Sequence, residues 1–378
     1  MYKRLIQAQI STKFFQGKVI ILTGARQTGK TTLSLEIIKK AGLEKEALFL
    51  NCDNPTDRKL LTDKDLDFLK KVVGKAKVIF IDEGQKVETI GQTLKLLADY
   101  YKKEKQVLVT GSSSFNLLDK TQEALTGRKY VFHLFNLSLE EIYPQKNISD
   151  IVKSLENFLI FGNYPEVVGK ETFDEKRELL EELSSSNLYR DILEFQQVKN
   201  SNIIFDLLKA LAFQIGNEVS YTELANLLSI DKNTVERYVD LLEKSYIIFR
   251  LSPYATNKRK EISKLRKVYF YDLGIRNSVI NNFSFLKERN DAGQLWENFI
   301  LLERIKFQKY HKIYSNNYFW RTYDRAEVDL VEEREGKLFG YEFKWNKKRK
   351  KKAPELWKKY PKSYYEIITP DELEEFVM

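Results

Sequence analysis

The chain has 378 residues, 43% hydrophobic and 31% charged, with a formal net charge of +9. That length allows two or three domains with real cores. The positive excess fits an anionic partner, nucleic acid or nucleotide, as well as it fits a lysine-rich solvated surface. One cysteine, Cys52, excludes a disulfide framework and a thiolate zinc site, and two histidines, His133 and His311, leave little for histidine metal clusters or triad chemistry.

The segment Met1–Ile10 lacks a signal-peptide core and no apolar run approaches membrane-spanning length, so the expectation is a soluble, cytoplasmic chain with no membrane partner. The first strong signal is Gly24-Ala-Arg-Gln-Thr-Gly29-Lys30-Thr31, a match to G-x-x-x-x-G-K-[ST]. Lys18-Val-Ile-Ile-Leu-Thr23 before it reads as a buried strand, and Thr31–Lys40 after it carries Leu33, Ile37 and Ile38 at helical spacing. Gly24 and Gly29 let backbone amides curl around phosphate oxygens, and the helix N-terminus that begins with Lys30, Thr31 and Thr32 adds partial positive charge. Lys30 is then the group for the outer phosphates and Thr31 a ligand of Mg²⁺.

Beyond the loop, Ala47–Leu50, Lys77–Ile81, Gln106–Val109 and Tyr130–Leu134 are candidate strands separated by periodic segments near Leu60–Val73 and Thr89–Lys102. Apolar runs alternating with helical stretches indicate a parallel sheet with covering helices. Val78-Ile-Phe-Ile-Asp82-Glu83 places two acids at a strand's C-terminal edge, where open α/β sheets bind ligands. Asp82 is expected in the Mg²⁺ shell and Glu83 as the base that polarises the attacking water. Val107-Leu-Val-Thr-Gly111-Ser-Ser-Ser114 ends another strand in hydroxyls. Ser112 either senses the terminal phosphate or orients water, or the segment is a simple turn. Arg128, in Leu125-Thr-Gly127-Arg128, is either a finger on bound ATP, in cis or across a subunit interface, or a solvated surface group.

The residues after Asp150 are helical in pattern: Ile151, Leu155, Phe158 and Leu159, then Leu179, Leu180 and Leu183, broken at Gly162–Pro165. This is either a helical lid following the sheet domain or a spacer bundle. Next, Val219–Leu228 reads as a short helix, Ser229–Ile230 as a tight turn, Asp231 as the cap of a second helix, and Tyr246–Leu251 as a strand of a hairpin. Two short helices, a tight turn and a hairpin are the elements of a winged helix-turn-helix. Used on DNA, its contacts would be Lys232, Asn233, Thr234, Glu236 and Arg237, with Lys258, Arg259 and Lys260 of the hairpin tip on phosphates; the other use of such a domain is protein packing.

In the last third, Trp296–Glu303 reads as an amphipathic helix, Glu327–Val331 as a strand and Phe339–Trp345 as another. Glu342 and Lys344 are two apart and share a face, while Val328, Leu330, Tyr341 and Phe343 fill the other. An acid, Asp329, followed by Glu-x-Lys on a neighbouring strand is the PD-(D/E)XK nuclease pattern. In it Asp329, Glu342 and Glu297 would hold a second divalent cation and Lys344 would meet the charge that develops at a phosphate. A half-exposed strand with alternating charge, in a domain used only for binding, gives the same letters. The run Lys347–Lys352 is either a solvated loop or a phosphate contact.

Together, Gly24-Ala-Arg-Gln-x-Gly-Lys-Thr-Thr-Leu, Ile81-Asp-Glu-x-Gln85, Thr110-Gly-Ser-Ser and Leu125-x-Gly-Arg128 resemble a large prokaryotic family of AAA-type P-loop ATPases that carry C-terminal winged-helix and nuclease-like domains of unassigned function. Phe161-Gly-Asn-Tyr-Pro165-Glu166, Tyr189-Arg-Asp191-Ile192 and Tyr269-Phe-Tyr-Asp272-Leu-Gly274 agree with it, while Gly84 stands where that family usually has a larger apolar residue. The resemblance implies an AAA-type sheet order, ATP and Mg²⁺ as cofactors, and self-association into a homo-oligomer. The expected class is therefore α/β: an AAA-type ATPase domain over 1–145, a helical lid or linker over 146–200, a winged helix over 201–262 and a restriction-endonuclease-like domain over 263–378. The expected function is ATP hydrolysis coupled to DNA binding or processing, or else a nucleotide-dependent switch that binds protein partners.

Overall fold

The computed structural model describes residues 2–112, 114–144, 148–187, 201–255, 266–322, 324, 326–346 and 352–378. The chain forms two compact units, Met1–Asn136 with Lys244–Tyr246, and Leu137–Glu243 with Ile247–Met378.

The first unit is built on five parallel strands, β1 (Val19–Thr23), β2 (Ala47–Asn51), β3 (Val78–Asp82), β4 (Gln106–Gly111) and β5 (Lys129–His133). Their order is β2-β3-β4-β1-β5. Every residue of β1, β3 and β4 is buried. Central strands covered on both faces must be apolar without alternation, which is why Val-Ile-Ile-Leu and Val-Ile-Phe-Ile read as continuous runs. Leu69, Val73, Ile90, Leu94 and Leu97 from the covering helices close one side of this core. Because the strands are parallel, the C-terminal ends Thr23, Asp82 and Gly111 share one edge of the sheet. One strand, β4, separates the strand that leads into the glycine loop from the strand that ends in Asp82.

The second unit carries a seven-stranded mixed sheet: β6 (Glu218–Val219), β7 (Ile248–Pro253), β8 (Arg266–Phe270), β9 (Asn316–Arg321), β10 (Glu327–Arg334), β11 (Lys337–Phe343) and β12 (Ser363–Ile368), in the order β12-β11-β10-β9-β7-β8-β6. Strands β10 and β11 form a tight hairpin through Glu335 and Gly336, both at positive φ (52° and 68°), the geometry that matches the twist of antiparallel strands. Strand β7 pairs with β8 on one side and, in parallel, with β9 on the other. The expected boundary at 262/263 thus falls between two strands of one sheet, and the segments 201–262 and 263–378 are not separate bodies.

The segment 146–200 also differs from a lid on the first unit. Helices Ile148–Phe161 and Phe173–Glu182 lie in the second unit, packed against helix Leu273–Val279. The Phe161-Gly-Asn and Asp272-Leu-Gly motifs explain the junction. Asp272 caps its own helix by accepting from the Ile275 amide (3.2 Å) and also accepts from the Asn163 amide (2.9 Å). A Cβ at Gly162 would lie 2.0 Å from Asp272 Oδ1, and one at Gly274 would lie 2.2 Å from the Phe161 carbonyl oxygen. The two backbones interlock at a distance only glycine allows. Tyr189, Asp191 and Ile192 lie outside the described residues.

Candidate functional site: a nucleotide loop and a lysine-lined carboxylate pocket

In the first unit the loop between β1 and helix Lys30–Lys40 has the shape its sequence requires. Gly24 (φ +153°) passes so close to β5 that a Cβ would sit 2.3 Å from the Leu134 carbonyl oxygen, and Gly29 (φ +91°) precedes the helix in the left-handed conformation. Lys30 is buried, and its Nζ donates to the carbonyls of Gly24 (3.0 Å) and Ala25 (2.7 Å), holding the loop closed on itself. Thr32 is exposed on the first helical turn. The Thr31 hydroxyl bridges both carboxylate oxygens of Asp82 at 3.0 and 2.9 Å. Thr110, from β4, donates a very short hydrogen bond to the same carboxylate. Burial pushes the Asp82 carboxyl above its ordinary value, against the hydrogen bonds from Thr110 and Thr31.

Glu83 adopts a left-handed backbone (φ +53°), a conformation costing about 1–3 kcal/mol in a non-glycine residue. Its amide is held by the Thr110 hydroxyl at 3.1 Å. Its carboxylate accepts from Gln85 Nε2 and, at 3.1 Å, from the Ser112 hydroxyl, which itself accepts from Gln85 at 3.1 Å. Ser112 is therefore a hydrogen-bond partner of Glu83. Thr110 and Gln85 were not among the expected site residues, although both stand inside the quoted motifs.

Arg4 is a participant that no local pattern announces. It is buried, and its guanidinium donates to the Thr28 carbonyl (2.8 Å) and the Phe135 carbonyl (2.5 Å), pinning the glycine loop to the chain that leaves β5. Arg128 lies elsewhere. It immediately precedes β5 and its carbonyl accepts from the Val19 amide, so it stands at the N-terminal edge of the sheet, about 16 Å of strand away from the loop edge. There it pairs with Asp99 at 2.5 Å. A finger acting in cis on this loop is corrected by that placement.

In the second unit Glu297, Asp329, Glu342 and Lys344 line one cavity of about 800 Å³. Glu297 comes from helix Ala292–Tyr310, Asp329 from β10, and Glu342 from β11. Lys344 Nζ pairs with Glu342 Oε1 at 2.7 Å, and Asp329 Oδ2 accepts from the Phe343 amide at 2.7 Å. Lys267 of β8, whose side chain is 3% exposed, lines the same cavity. Its ammonium lies 3.0 Å from Glu297, in close contact with Glu327, and 3.9 Å from Asp329. Tyr269 donates to Glu297 at 2.7 Å. Burial alone would lower the Lys267 pKa, but Glu297, Asp329 and Glu327 outweigh it and hold the ammonium charged. Burial and the Glu297 charge push Asp329 well up. Among the described residues no group of three or more acid, histidine or cysteine side chains is arranged to hold a metal ion. The Lys267 ammonium lies beside Glu297 and Asp329, two of the three carboxylates on which a second divalent cation was expected. Lys267, Tyr269 and Glu327 escaped sequence reasoning because their roles depend on three separate elements meeting.

The two short helices of the second unit, Tyr221–Leu228 and Lys232–Lys244, join through Ser229 (φ +54°), with Asp231 accepting from the Thr234 amide at 3.0 Å. Val235, Tyr238, Val239 and Leu242 are buried, while Lys232, Asn233, Glu236 and Arg237 are exposed. Lys258, Arg259, Lys260 and the run 347–351 lie outside the described residues. Among the described residues no helix is long and apolar enough to cross a membrane.

These features define the first unit as an AAA-type P-loop domain, the class of nucleotide-binding ATPases. Residues 16–143 match the family model described as an AAA domain. Residues 152–285 and 292–372 match two models, each described as a domain of unknown function (DUF8612 and DUF4143). An uncharacterized protein of Mycobacterium tuberculosis is 26% identical over 344 residues, covering 90% of this chain and 74% of that protein. One of Methanocaldococcus jannaschii is 27% identical over 346 residues, covering 87% and 75%. Among solved structures, AMPPCP-bound DnaA from Aquifex aeolicus is similar at a TM-score of 0.29 and 15% identity over 64% of this chain and 89% of that one. The Pif1 helicase from Candida albicans gives 0.28 and 15% over 49% and 48%, so this chain spans about half of that helicase.

Proposed function

We propose that this protein binds and hydrolyses ATP in its first unit and that nucleotide state controls how its second unit engages DNA. The observation that carries the reading is the Glu83 carboxylate, held by Gln85 and Ser112 beside the Thr31–Asp82 pair at the loop edge of the sheet. The donor set of Thr31 hydroxyl and Asp82 carboxylate suits a hard cation, so these two residues would hold the Mg²⁺ that accompanies ATP. When bound, that ion would neutralise phosphate charge. Lys30 exchanges its two loop carbonyls for the outer phosphates, and Glu83 takes the proton of the attacking water.

The DNA half of the reading is supported by the order helix, β6, helix, tight turn, helix, β7, β8, in which β8 pairs with both β6 and β7. That order supports the winged helix-turn-helix reading, with Lys232, Asn233 and Arg237 exposed on the helix that would meet the groove. Self-association belongs to the same reading, because a role for Arg128 in turnover requires a neighbouring copy. The test is ATP turnover with and without duplex DNA, in the wild type and in Lys232→Ala/Arg237→Ala. DNA should stimulate turnover, and the double variant should lose the stimulation while keeping basal turnover. Absence of DNA affinity at moderate salt overturns the DNA half.

A second reading, a nucleotide-dependent switch for protein partners with an inactive nuclease-like domain, is favoured by one observation: the Lys267 ammonium pairs with Glu297 and Glu327 in the carboxylate pocket.

A further inference from the structure

Lys267 does not behave as a surface lysine that has found a partner. It projects from β8, sits above the Phe319 ring (5.5 Å to the centroid), and meets carboxylates from two further elements, Glu297 of helix Ala292–Tyr310 and Glu327 and Asp329 of β10. A buried ammonium is retained only where compensating charge is built around it. Conversely, Glu297, Glu327 and Asp329 are brought together at 3% exposure of the intervening side chain, and without Lys267 their like charges would repel.

We propose that Lys267 is the resident cation of this pocket: its ammonium occupies the place a divalent ion would take, and the pocket accepts a divalent ion only when Lys267 is removed or withdrawn. A divalent ion within reach of Glu297 and Asp329 would face the ammonium, and the two positive charges would compete for the same carboxylates. The lysine is delivered by β8, the strand that pairs with both β6 and β7. This inference concerns the carboxylate pocket of the second unit and needs neither ATP turnover nor DNA binding to hold.

The experiment is a Mn²⁺ titration of the full chain without nucleotide, following the free-ion electron paramagnetic resonance signal, so its outcome is separate from the ATP and DNA assays. Lys267→Met should bind Mn²⁺ roughly tenfold or more tighter than the wild type, as expected when a close like charge is removed. Adding Asp329→Asn to Lys267→Met should abolish that gain and so locate it in this pocket. No gain in Lys267→Met overturns the proposal. So does wild-type binding that Asp329→Asn removes, since a divalent ion would then coexist with the lysine. If thermal melting shows that Lys267→Met does not fold, the wild type against Asp329→Asn decides alone: Asp329-dependent Mn²⁺ binding overturns the proposal, and its absence supports it.

Discussion

Thr31 and Asp82 are 51 residues apart in sequence, yet the hydroxyl of one spans both carboxylate oxygens of the other at 2.9 and 3.0 Å. The pair joins the glycine loop to the end of β3 across the intervening β4, whose Thr110 binds the same carboxylate. Burial holds the Asp82 pKa above its ordinary value, against the hydrogen bonds from Thr110 and Thr31. The folded state therefore binds this proton more strongly than the unfolded chain, and ionising Asp82 as pH rises costs stability. Holding a cation needs the ionised form. Affinity for Mg²⁺–ATP should thus fall on mild acidification, at a higher pH than an ordinary carboxylate would give. Asp82→Asn should bind weakly at all pH values with a flat profile. Isothermal titration across neutral to mildly acidic pH checks both.

Lys30 and Glu83 should separate binding from chemistry. Lys30→Ala removes the group that exchanges loop carbonyls for phosphates and should lose nucleotide binding. Glu83→Gln keeps the size and the Ser112 contact but cannot accept a proton, so binding should persist while turnover drops about 10²- to 10⁴-fold. Gln85→Ala, which frees the Glu83 carboxylate to rotate, should lower kcat with little change in KM. Unchanged turnover in Glu83→Gln would remove Glu83 from the site.

Arg4 makes two charged hydrogen bonds to backbone carbonyls, each worth about 1.5–3 kcal/mol in mutational series. Arg4→Ala should lower thermal stability by a few degrees and weaken ATP binding, because Thr28 sits within the glycine loop. Arg4→Lys, with one compact ammonium in place of a fork, should rescue only part of either loss. Equal ATP affinity in Arg4→Ala and the wild type would reduce this contact to packing.

Asp291 lies between the buried guanidiniums of Arg276 and Arg289, at 2.6 and 2.8 Å. Burial works against its charge, but the two arginines prevail and set its pKa at about 2. A folded-state value below the unfolded one gives stability that is present above the unfolded pKa, about 3.9, and is lost as pH falls towards 2. Asp291→Asn leaves both arginines buried without a counter-charge and should cost about 3 kcal/mol or more. Denaturant unfolding at neutral pH measures the loss, and the gap between variant and wild type should narrow in acid.

The sequence by itself determined the elements whose causes are local. Continuous apolar runs predicted β1, β3 and β4 because buried parallel strands tolerate nothing else, and the glycine spacing predicted a loop that only Gly24 and Gly29 can shape. The alternation around Asp329 and Glu342 predicted two strands bearing acids on one face, and Asp231 predicted a helix cap. Tertiary structure alone decided what depends on strand order and on distant chain segments meeting. Arg128 beside a glycine reads as a finger, in cis or across an interface, or as a solvated group, and only the parallel sheet places it at the opposite edge from the loop of its own chain. The residues after Asp150 read as a lid until Asp272 and Asn163 fasten them into the second unit. Glu297, Asp329 and Glu342 read as a metal site in the sequence, and only the fold brings Lys267 of β8 beside Glu297 and Asp329. Helix and strand periodicities record which face of an element is buried, but not which element buries it. Charge compensation between elements far apart in sequence leaves no local pattern, and so the occupant of a buried pocket is fixed only when the sheet closes.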